Sequence, residues 1–126
     1  MEELKDRRYM ERVRIPMAKL YYRVKDRHKL LNSYQGPFPI SDISKSSLSI
    51  EGCLNLKNKT QICLKISIPD HPEILLKGQI LGFISDRAGR VVKTIIQLMP
   101  YGLDPQYNSF KYKKRLEHCL SNSTPV

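Results

Sequence analysis

Cysteine is scarce and tryptophan is absent from this chain of 126 residues. The three cysteines, Cys53, Cys63 and Cys119, are widely spaced and form no Cys-x-x-Cys pair. Disulfide-stapled domains normally carry an even set of cysteines, and a zinc site needs four closely spaced ligands, which these residues and three scattered histidines do not supply. The sequence therefore predicts reduced, structural cysteines and no bound metal.

Long apolar runs are missing as well. No stretch approaches the roughly 18 apolar residues that indicate a membrane-spanning helix. Residues 1–6 are mostly charged, where a secretory signal would be apolar. The sequence therefore predicts a cytoplasmic protein without membrane insertion.

Acidic residues are few beside basic ones, 12 Asp and Glu against 22 Lys and Arg, which gives a formal net charge of +10. Residues 57–99 carry a net +4 and residues 100–126 a net +2. This balance excludes an acidic solvating protein and indicates an anionic partner, which the charge alone leaves open among nucleotide, nucleic acid, membrane surface and acidic protein. Hydrophobic residues at 40% and charged residues at 27% are typical of one globular domain.

Alternating aliphatic residues predict β-structure in the middle of the chain. Four of them share one face of a strand that Pro69 ends, namely Ile62, Leu64, Ile66 and Ile68. Residues 74–84 and 91–98 flank the turn sequence 86–89, which predicts a hairpin. With the apolar segments 15–24, 40–42 and 48–50, the sequence predicts about six strands.

Turn-forming residues separate these segments. Residues 32–37 are rich in Asn, Gly and Pro, and they predict a loop. Asn58-Lys59 predicts a turn because asparagine tolerates positive φ. Gly78 and Gly82 predict bends or bulges in the strand that contains them.

One helix is predicted near the C-terminus. Asp104 is a suitable N-cap, and Pro105 fits the first helical position, where its missing N–H is not needed. One apolar stripe follows at helical spacing, formed by Tyr112, Leu116, Cys119 and Leu120. Short strands with hairpin turns and a terminal amphipathic helix predict an all-β fold, a small closed antiparallel barrel on which the C-terminal α-helix packs.

Signatures of catalysis are lacking, which predicts a protein that is not an enzyme. The sequence contains no nucleophile elbow, no phosphate-cradling glycine-rich loop and no paired catalytic carboxylates. Serine and histidine occur, but their spacing does not link them. The function is therefore expected to rest on binding residues.

Arginines cluster ahead of the first predicted strand, at Arg7, Arg8, Arg12 and Arg14. Arg8 and Arg12 are four residues apart, so on a turn or in a flexible segment they can converge on one anion. The planar guanidinium binds phosphate in a bidentate manner and also reads the O6/N7 edge of guanine. The alternative interpretation is a solvated basic segment without a specific ligand.

A second candidate segment contains Asp42, Ser44 and Ser47. On an extended segment, Asp42 and Ser44 point the same way. The carboxylate can accept hydrogen bonds from N1–H and N2–H₂ of a guanine. The alternative interpretation is an Asx or serine turn that caps a hairpin.

Together the two segments resemble the PilZ family, whose pattern is Arg-x-x-x-Arg followed by Asp/Asn-x-Ser-x-x-Gly. Arg8 and Arg12 match the first motif, and Asp42 and Ser44 match the second, with Ser47 in place of its glycine. The alternating strand that ends in Ile-Pro, the following hairpin and the terminal helix also fall where this family places them. The likeness therefore extends over most of the chain.

The resemblance implies a six-stranded antiparallel barrel that binds cyclic di-GMP and has no resident cofactor. Arg8 and Arg12 would hold a guanine edge and the phosphates, while Asp42 and Ser44 would fix a guanine from the barrel side. Arg7 resembles the doubled arginine of members that hold a stacked pair of ligand molecules. The arginine segment would order over the ligand and change the surface that an effector protein reads.

The predicted organisation has three parts. Residues 1–14 form a flexible basic leader, residues 15–121 form the barrel with its helix, and residues 122–126 form a disordered tail. The positive charge beyond the leader exceeds what a ligand of charge −2 requires, which suggests an effector protein with an acidic surface.

Serine at position 47 is the main departure from the family pattern. Glycine permits positive φ and close approach of the backbone to a ligand, and a left-handed serine would be strained by about 1 kcal/mol or more.

Two other functions stay open. One is a degenerate PilZ domain that acts as a ligand-independent adaptor. The other is a basic barrel that binds nucleic acid, with the exposed members of Tyr9, Tyr21, Tyr22 and Tyr34 as stacking surfaces.

Overall fold

The computed structural model describes residues 12–25 and 33–125, which form eight strands and one helix. In chain order these are β1 (Val13–Arg14), β2 (Lys19–Val24), β3 (Gln35–Ile43), β4 (Ser47–Glu51), β5 (Gln61–Ser67), β6 (Ile74–Ser85), β7 (Val91–Leu98), α1 (Phe110–Ser121) and β8 (Thr124–Pro125).

Six of the strands close into an antiparallel barrel. Their order is β2-β5-β6-β7-β4-β3, and a further pairing of β3 with β2 closes the ring. Strand β1 pairs with the C-terminal end of β3, at Ile43, and β8 pairs with β1. The predicted six-stranded antiparallel barrel with a C-terminal helix is confirmed.

The barrel interior is filled by the aliphatic side chains of alternating strand positions. In β5 the predicted face is confirmed, because Ile62, Leu64 and Ile66 are buried and the residues between them are not. A barrel of this size leaves room only for side chains. Leu116 and Cys119 of α1 extend the core on the outside of the barrel, where the helix packs against β6.

Strand β3 begins earlier than the sequence predicted. Residues 35–37 were expected in a loop, yet Gln35 pairs with Tyr22 and the strand continues from there. Gly36 makes this possible, because it adopts a φ of +143° and a Cβ atom there would lie 2.7 Å from the carbonyl oxygen of Leu20. The Gly36–Pro37 peptide bond is cis. The loop prediction is therefore wrong for Gln35 to Pro37.

The first predicted strand, 15–24, is interrupted by a turn. Ala18 donates its N–H to the carbonyl of Ile15 over 3.2 Å, with Pro16 and Met17 between them. Met17 has a φ of +64°. The turn separates β1, which pairs with β3, from β2, which lies between β3 and β5.

The helix also begins later than predicted. Ser109 is its N-cap and accepts from the N–H of Tyr112, so α1 begins at Phe110. Asp104 caps a separate turn instead, where its carboxylate accepts from the N–H of Gln106 over 2.8 Å. The predicted apolar stripe is confirmed by burial of Leu116 and Cys119. No helix within 12–25 and 33–125 is both long and apolar enough to cross a bilayer.

The chain ends beside its first described strand. Thr124 pairs with Arg14 and Pro125 with Val13, although the sequence predicted disorder for residues 122–126. Residues 1–11 of the predicted leader lie outside the described residues. Backbone pairing of the last strand with β1 therefore brings the tail next to the end of the leader.

Candidate functional site

Arg12 and Asp42 form an ion pair at one side of the barrel. Val13 of β1 pairs with Ile43 of β3 in antiparallel register, which makes Arg12 and Asp42 diagonal neighbours across the two strands. The Arg12 Nη1 and Asp42 Oδ1 atoms are 3.4 Å apart. The Arg12 side chain is 45% exposed and that of Asp42 is 14% exposed, so the carboxylate is the sheltered partner. The other two predicted arginines, Arg7 and Arg8, lie outside the described residues.

Ser44 and Ser47 close the hairpin between β3 and β4. Ser44 donates its N–H to the Ser47 carbonyl over 2.8 Å. Its buried hydroxyl accepts from the N–H groups of Ser46 and Ser47, each over 3.2 Å, and donates to the Ser47 carbonyl over 3.2 Å. The segment is therefore not extended through Ser44, because β3 ends at Ile43. The serine turn that the sequence left open as an alternative is the observed geometry.

Ser47 does not carry the backbone strain expected of it. The described non-glycine residues with positive φ are Met17, Asn55, Lys59 and Asp70. Ser47 is instead the first residue of β4 and pairs with Gln97 of β7. A strand position accepts any L-residue, so the left-handed conformation that would require glycine does not occur here.

Ser49 is a candidate site residue that the sequence reasoning missed. It lies directly opposite Asp42 in the β3–β4 ladder, and residues opposite each other in an antiparallel pair share a face of the sheet. Ser49 is 1% exposed, and its hydroxyl has no hydrogen-bond partner among the described residues. The alternation of Ser47 and Ser49 in the sequence was the signal, because it puts two hydroxyls on the face that carries Asp42.

A bulge in β3 shapes this surface. The register of β3 against β4 shifts between Ile40 and Asp42, so two inward residues, Ile40 and Ile43, are separated by two others. Ser41 is one of these, and its buried hydroxyl also lacks a partner within the described part of the chain. Bulges re-aim side chains next to functional sites. Here the bulge lies beside Asp42, which follows Ser41 in the chain and is opposite Ser49 in the ladder.

The outer side of the hairpin turn is held by the C-terminal part of the chain. The Tyr101 hydroxyl donates to the Lys45 carbonyl over 3.1 Å, and the Lys45 Nζ lies 3.3 Å from Glu117 Oε2 of α1. Burial, with a smaller contribution from the charge of Glu117, raises the pKa of Tyr101 to about 12. Two distant segments thus fix the turn that contains Ser44 and Ser47.

The arrangement combines an anionic acceptor, a cationic planar donor and neutral hydroxyls within one patch. A guanine base presents the complement, since its N1–H and N2–H₂ groups donate and its O6 and N7 atoms accept. Within the described part of the chain, no three His, Cys, Asp or Glu side chains are grouped as a metal ion would require. The patch suits a planar ligand with both donors and acceptors and with negative charge.

Solved structures with the same fold include two proteins that align over most of this chain. The Bacillus subtilis inhibitor of motility, MotI/DgrA, aligns with a TM-score of 0.62 at 12% identity over 91% of this chain and 50% of that one. MrkH, a transcription regulatory factor described as dependent on c-di-GMP, aligns with a TM-score of 0.54 at 15% identity over 89% of this chain and 50% of that one.

The chain thus spans half the length of each of these two structures. Neither a protein-family model nor a curated protein sequence matches it. Identities this low bear on the fold alone. The predicted likeness is confirmed at that level, and the chain folds as a PilZ-like β-barrel.

Proposed function

We propose that this protein is a cytoplasmic receptor for cyclic di-GMP and has no catalytic activity. The observation that carries the proposal is the pairing of Arg12 with Asp42, 3.4 Å apart, because it unites the two short motifs that are thirty residues apart in sequence. The c-di-GMP dependence stated for MrkH, which shares the fold, also supports it.

In the proposed complex, Asp42 accepts hydrogen bonds from N1–H and N2–H₂ of one guanine. Arg12 turns from Asp42 to the O6/N7 edge of a guanine or to a phosphate, where its fork donates two hydrogen bonds. The exchange costs little, because an ion pair with one partner 45% exposed is worth at most about 1 kcal/mol. Arg7 and Arg8 are proposed to hold the remaining phosphate charge, and a second stacked ligand is compatible with three arginines.

The serines have different proposed roles. Ser44 fixes the hairpin turn, because its hydroxyl is used by the backbone of that turn. Ser47 lies at the start of β4, where it takes the place of the motif glycine. Ser49 offers an unpartnered hydroxyl to a polar ligand atom beside Asp42. The ligand would satisfy a group that the free protein leaves buried without a hydrogen bond.

Ligand binding is proposed to place the part of the leader that precedes β1 over the ligand and against the barrel. Arg12 is followed immediately by Val13, which pairs with Ile43 of β3. A ligand that binds Arg12 and Asp42 at once therefore lies where the leader meets the sheet. The resulting change in surface is what an effector protein would read.

Isothermal titration with cyclic di-GMP tests the proposal. We expect saturable binding by the full chain, and a loss of at least tenfold in affinity for Arg12→Ala and for Asp42→Ala. Arg87→Ala, in the exposed β6–β7 turn, removes the same charge and should bind as the wild type does. Cyclic di-AMP has the same charge but lacks the guanine donors, so it should bind at least tenfold more weakly. Absence of binding at high micromolar protein, or equal binding by Arg12→Ala, would overturn the proposal.

A ligand-independent adaptor is the second candidate, and one observation favours it. Arg12 and Asp42 already satisfy each other, and the hydroxyl of Ser44 is used within the turn. The same titration separates the two functions, since an adaptor gives no heat with cyclic di-GMP. Its complex with an effector protein would also be indifferent to added nucleotide.

A further inference from the structure

A second concave site lies on the outer wall of the barrel, away from the Arg12–Asp42 pair. It has a volume of about 280 Å³ and is bounded by β5, β6 and the segment that leads into α1. The aliphatic and aromatic residues that line it include Tyr34, Leu75, Tyr107 and Tyr112. Neither of the two short motifs of the proposed ligand site contributes to this pocket, which we call the wall pocket.

Two of the large hydrophobic residues that are exposed in the described part of the chain lie at its mouth. Leu75 is 41% exposed and Tyr107 is 40% exposed, although both are large hydrophobic residues. Leu75 points outward from β6 because its neighbours Ile74 and Leu76 face the core. Such side chains around a concavity are typical of an interaction site, whereas single exposed ones elsewhere need no explanation.

Positive charge surrounds the wall pocket. The guanidinium of Arg23 and the Nζ of Lys65 lie 4.9 and 5.0 Å from the ring centre of Tyr34. On the other side, the guanidinium of Arg115 and the Nζ of Lys111 lie 5.3 and 5.5 Å from the ring centre of Tyr112.

Most of this charge is not neutralised within the described part of the chain. Lys65 has a carboxylate near it, that of Glu73 at 3.9 Å, whereas the described ion pairs include none of Arg23, Lys111 and Arg115. These residues belong to the net positive charge that exceeds what a dinucleotide needs.

We propose that the wall pocket docks an acidic peptide segment of a partner protein, with one aromatic or aliphatic side chain of that segment in the pocket. The apolar surface of Leu75, Tyr107 and Tyr112 would bury the anchoring side chain. The cations around Tyr34 and Tyr112 would pair with flanking Asp and Glu of the peptide. Complementary charge of this kind steers association and selects the partner, while a buried central anchor supplies most of the affinity.

The geometry favours a peptide over a single-stranded nucleic acid. Base stacking needs open aromatic faces, and cations lie near the rings of both Tyr34 and Tyr112. Reading a base also needs free polar groups. The side chain of Asn108 is occupied, because its oxygen accepts from the N–H of Lys77 and its nitrogen donates to the carbonyls of Lys77 and Met99. The amino group of Lys77 donates to the carbonyl of Pro105.

Fluorescence anisotropy with a labelled heptapeptide, a central Phe flanked on both sides by Glu and Asp, tests the proposal on the full chain. We expect saturable binding with a dissociation constant at or below about 1 mM. Replacing the Phe by Ala, or all the acidic residues by Gln and Asn, should each weaken binding at least fivefold. Saturation absent up to 1 mM, or equal binding of the three peptides, would overturn the proposal.

Variants locate the binding. Leu75→Ser and Arg23→Gln should each weaken binding of the acidic peptide at least fivefold. Leu81→Ser, at another exposed leucine of β6, and Arg87→Gln are the matched controls and should leave it unchanged. Equal loss in the controls, or no loss in Leu75→Ser and Arg23→Gln, would contradict the assignment. Circular dichroism checks that each variant is folded, and if Leu75→Ser is not, then Arg23→Gln alone decides.

Two further titrations separate this proposal from its rivals. A labelled ten-nucleotide oligouridine should not bind at this pocket, and binding of that RNA which Leu75→Ser or Arg23→Gln weakens would assign the wall pocket to nucleic acid instead. Cyclic di-GMP should bind Leu75→Ser as it binds the wild type if the proposed receptor function holds. The peptide result does not depend on that titration, so failure of either proposal is visible by itself.

Discussion

At the scale of single residues, Ser44 and Ser49 have the same chemical group in opposite circumstances. The hydroxyl of Ser44 is surrounded by three backbone partners within its own hairpin turn. The hydroxyl of Ser49 is equally buried but has no partner in the described ranges 12–25 and 33–125. A buried polar group without a hydrogen bond costs about 1–3 kcal/mol, so the two serines should respond to truncation with opposite sign.

Ser49→Ala is expected to raise the free energy of unfolding by about 1 kcal/mol, because it removes an unsatisfied hydroxyl. The same substitution should weaken cyclic di-GMP binding if Ser49 contacts the ligand, a trade of stability against function that is common at binding sites. Urea denaturation and calorimetric titration measure the two effects. Ser44→Ala is the comparison and should lower the free energy of unfolding by about 1–3 kcal/mol. A destabilised Ser49→Ala would contradict the interpretation of its hydroxyl.

Ser47→Gly tests whether the serine that replaces the motif glycine is strained. Since Ser47 starts a strand and does not have positive φ, glycine relieves no strain there. We expect the substitution to lower the free energy of unfolding by about 0.5–1 kcal/mol, the usual cost of glycine in a strand. Thermal unfolding followed by circular dichroism measures this. An increase in the melting temperature would show that Ser47 is strained after all.

At the scale of elements, the errors of prediction share a cause. Asp104-Pro105 has the local chemistry of a helix start, but it caps a turn, and Ser109 caps α1 instead. The decisive contact joins Asn108 to β6. The Asn108 side chain bonds to the backbone of β6 and holds the preceding segment away from helical geometry. Capping rules use only neighbouring residues, so they cannot predict a contact between residues 31 positions apart.

The turn between β1 and β2 offers a test at this scale. Pro16 followed by a residue of positive φ, with the Ala18 N–H bonded to the Ile15 carbonyl, is typical of a type II turn, which favours Gly or Asn at the third position. Met17 occupies that position and is 70% exposed. Met17→Asn should therefore raise the free energy of unfolding by about 0.5–1 kcal/mol.

Thermal or urea unfolding measures the effect of Met17→Asn. Met17→Val is the matched control, because a β-branched residue resists positive φ, and it should be less stable than the wild type. If Asn and Val had the same effect, backbone conformation would not be the cause.

At the scale of the whole molecule, three segments meet at the site hairpin. Tyr101 bonds to the backbone of Lys45, and Lys45 pairs with Glu117 of α1. Residues far apart in sequence thus support the turn that orients the β3–β4 ladder. Disturbing α1 should affect the proposed ligand site even though no residue of α1 belongs to it.

Tyr101 makes this contact sensitive to alkaline pH. Its pKa in the folded protein is about 12, above the ordinary value of 10.0, so the folded state holds the phenolic proton more tightly than the unfolded state. The stabilisation is complete below pH 10 and declines as the pH rises from about 10 to 12. Tyr101→Phe should show a smaller decline over this range, measured by urea denaturation at each pH. Tyr107→Phe, at a more exposed tyrosine, should decline as the wild type does.

The sequence by itself determined the barrel, because the alternation at residues 62–68 and the turn chemistry at 86–89 are local properties that do not depend on tertiary contacts. It also singled out Arg12 and Asp42, since their residue types suit an anionic guanine nucleotide. The tertiary structure decided what depends on other strands. The ladder across β3 and β4 made Ser49 a neighbour of Asp42, the close approach to Leu20 required Gly36 within a strand, and the packing of β5, β6 and α1 created the wall pocket. Each of these features depends on contacts between residues that are remote in the chain, and neither composition nor periodicity predicts such contacts.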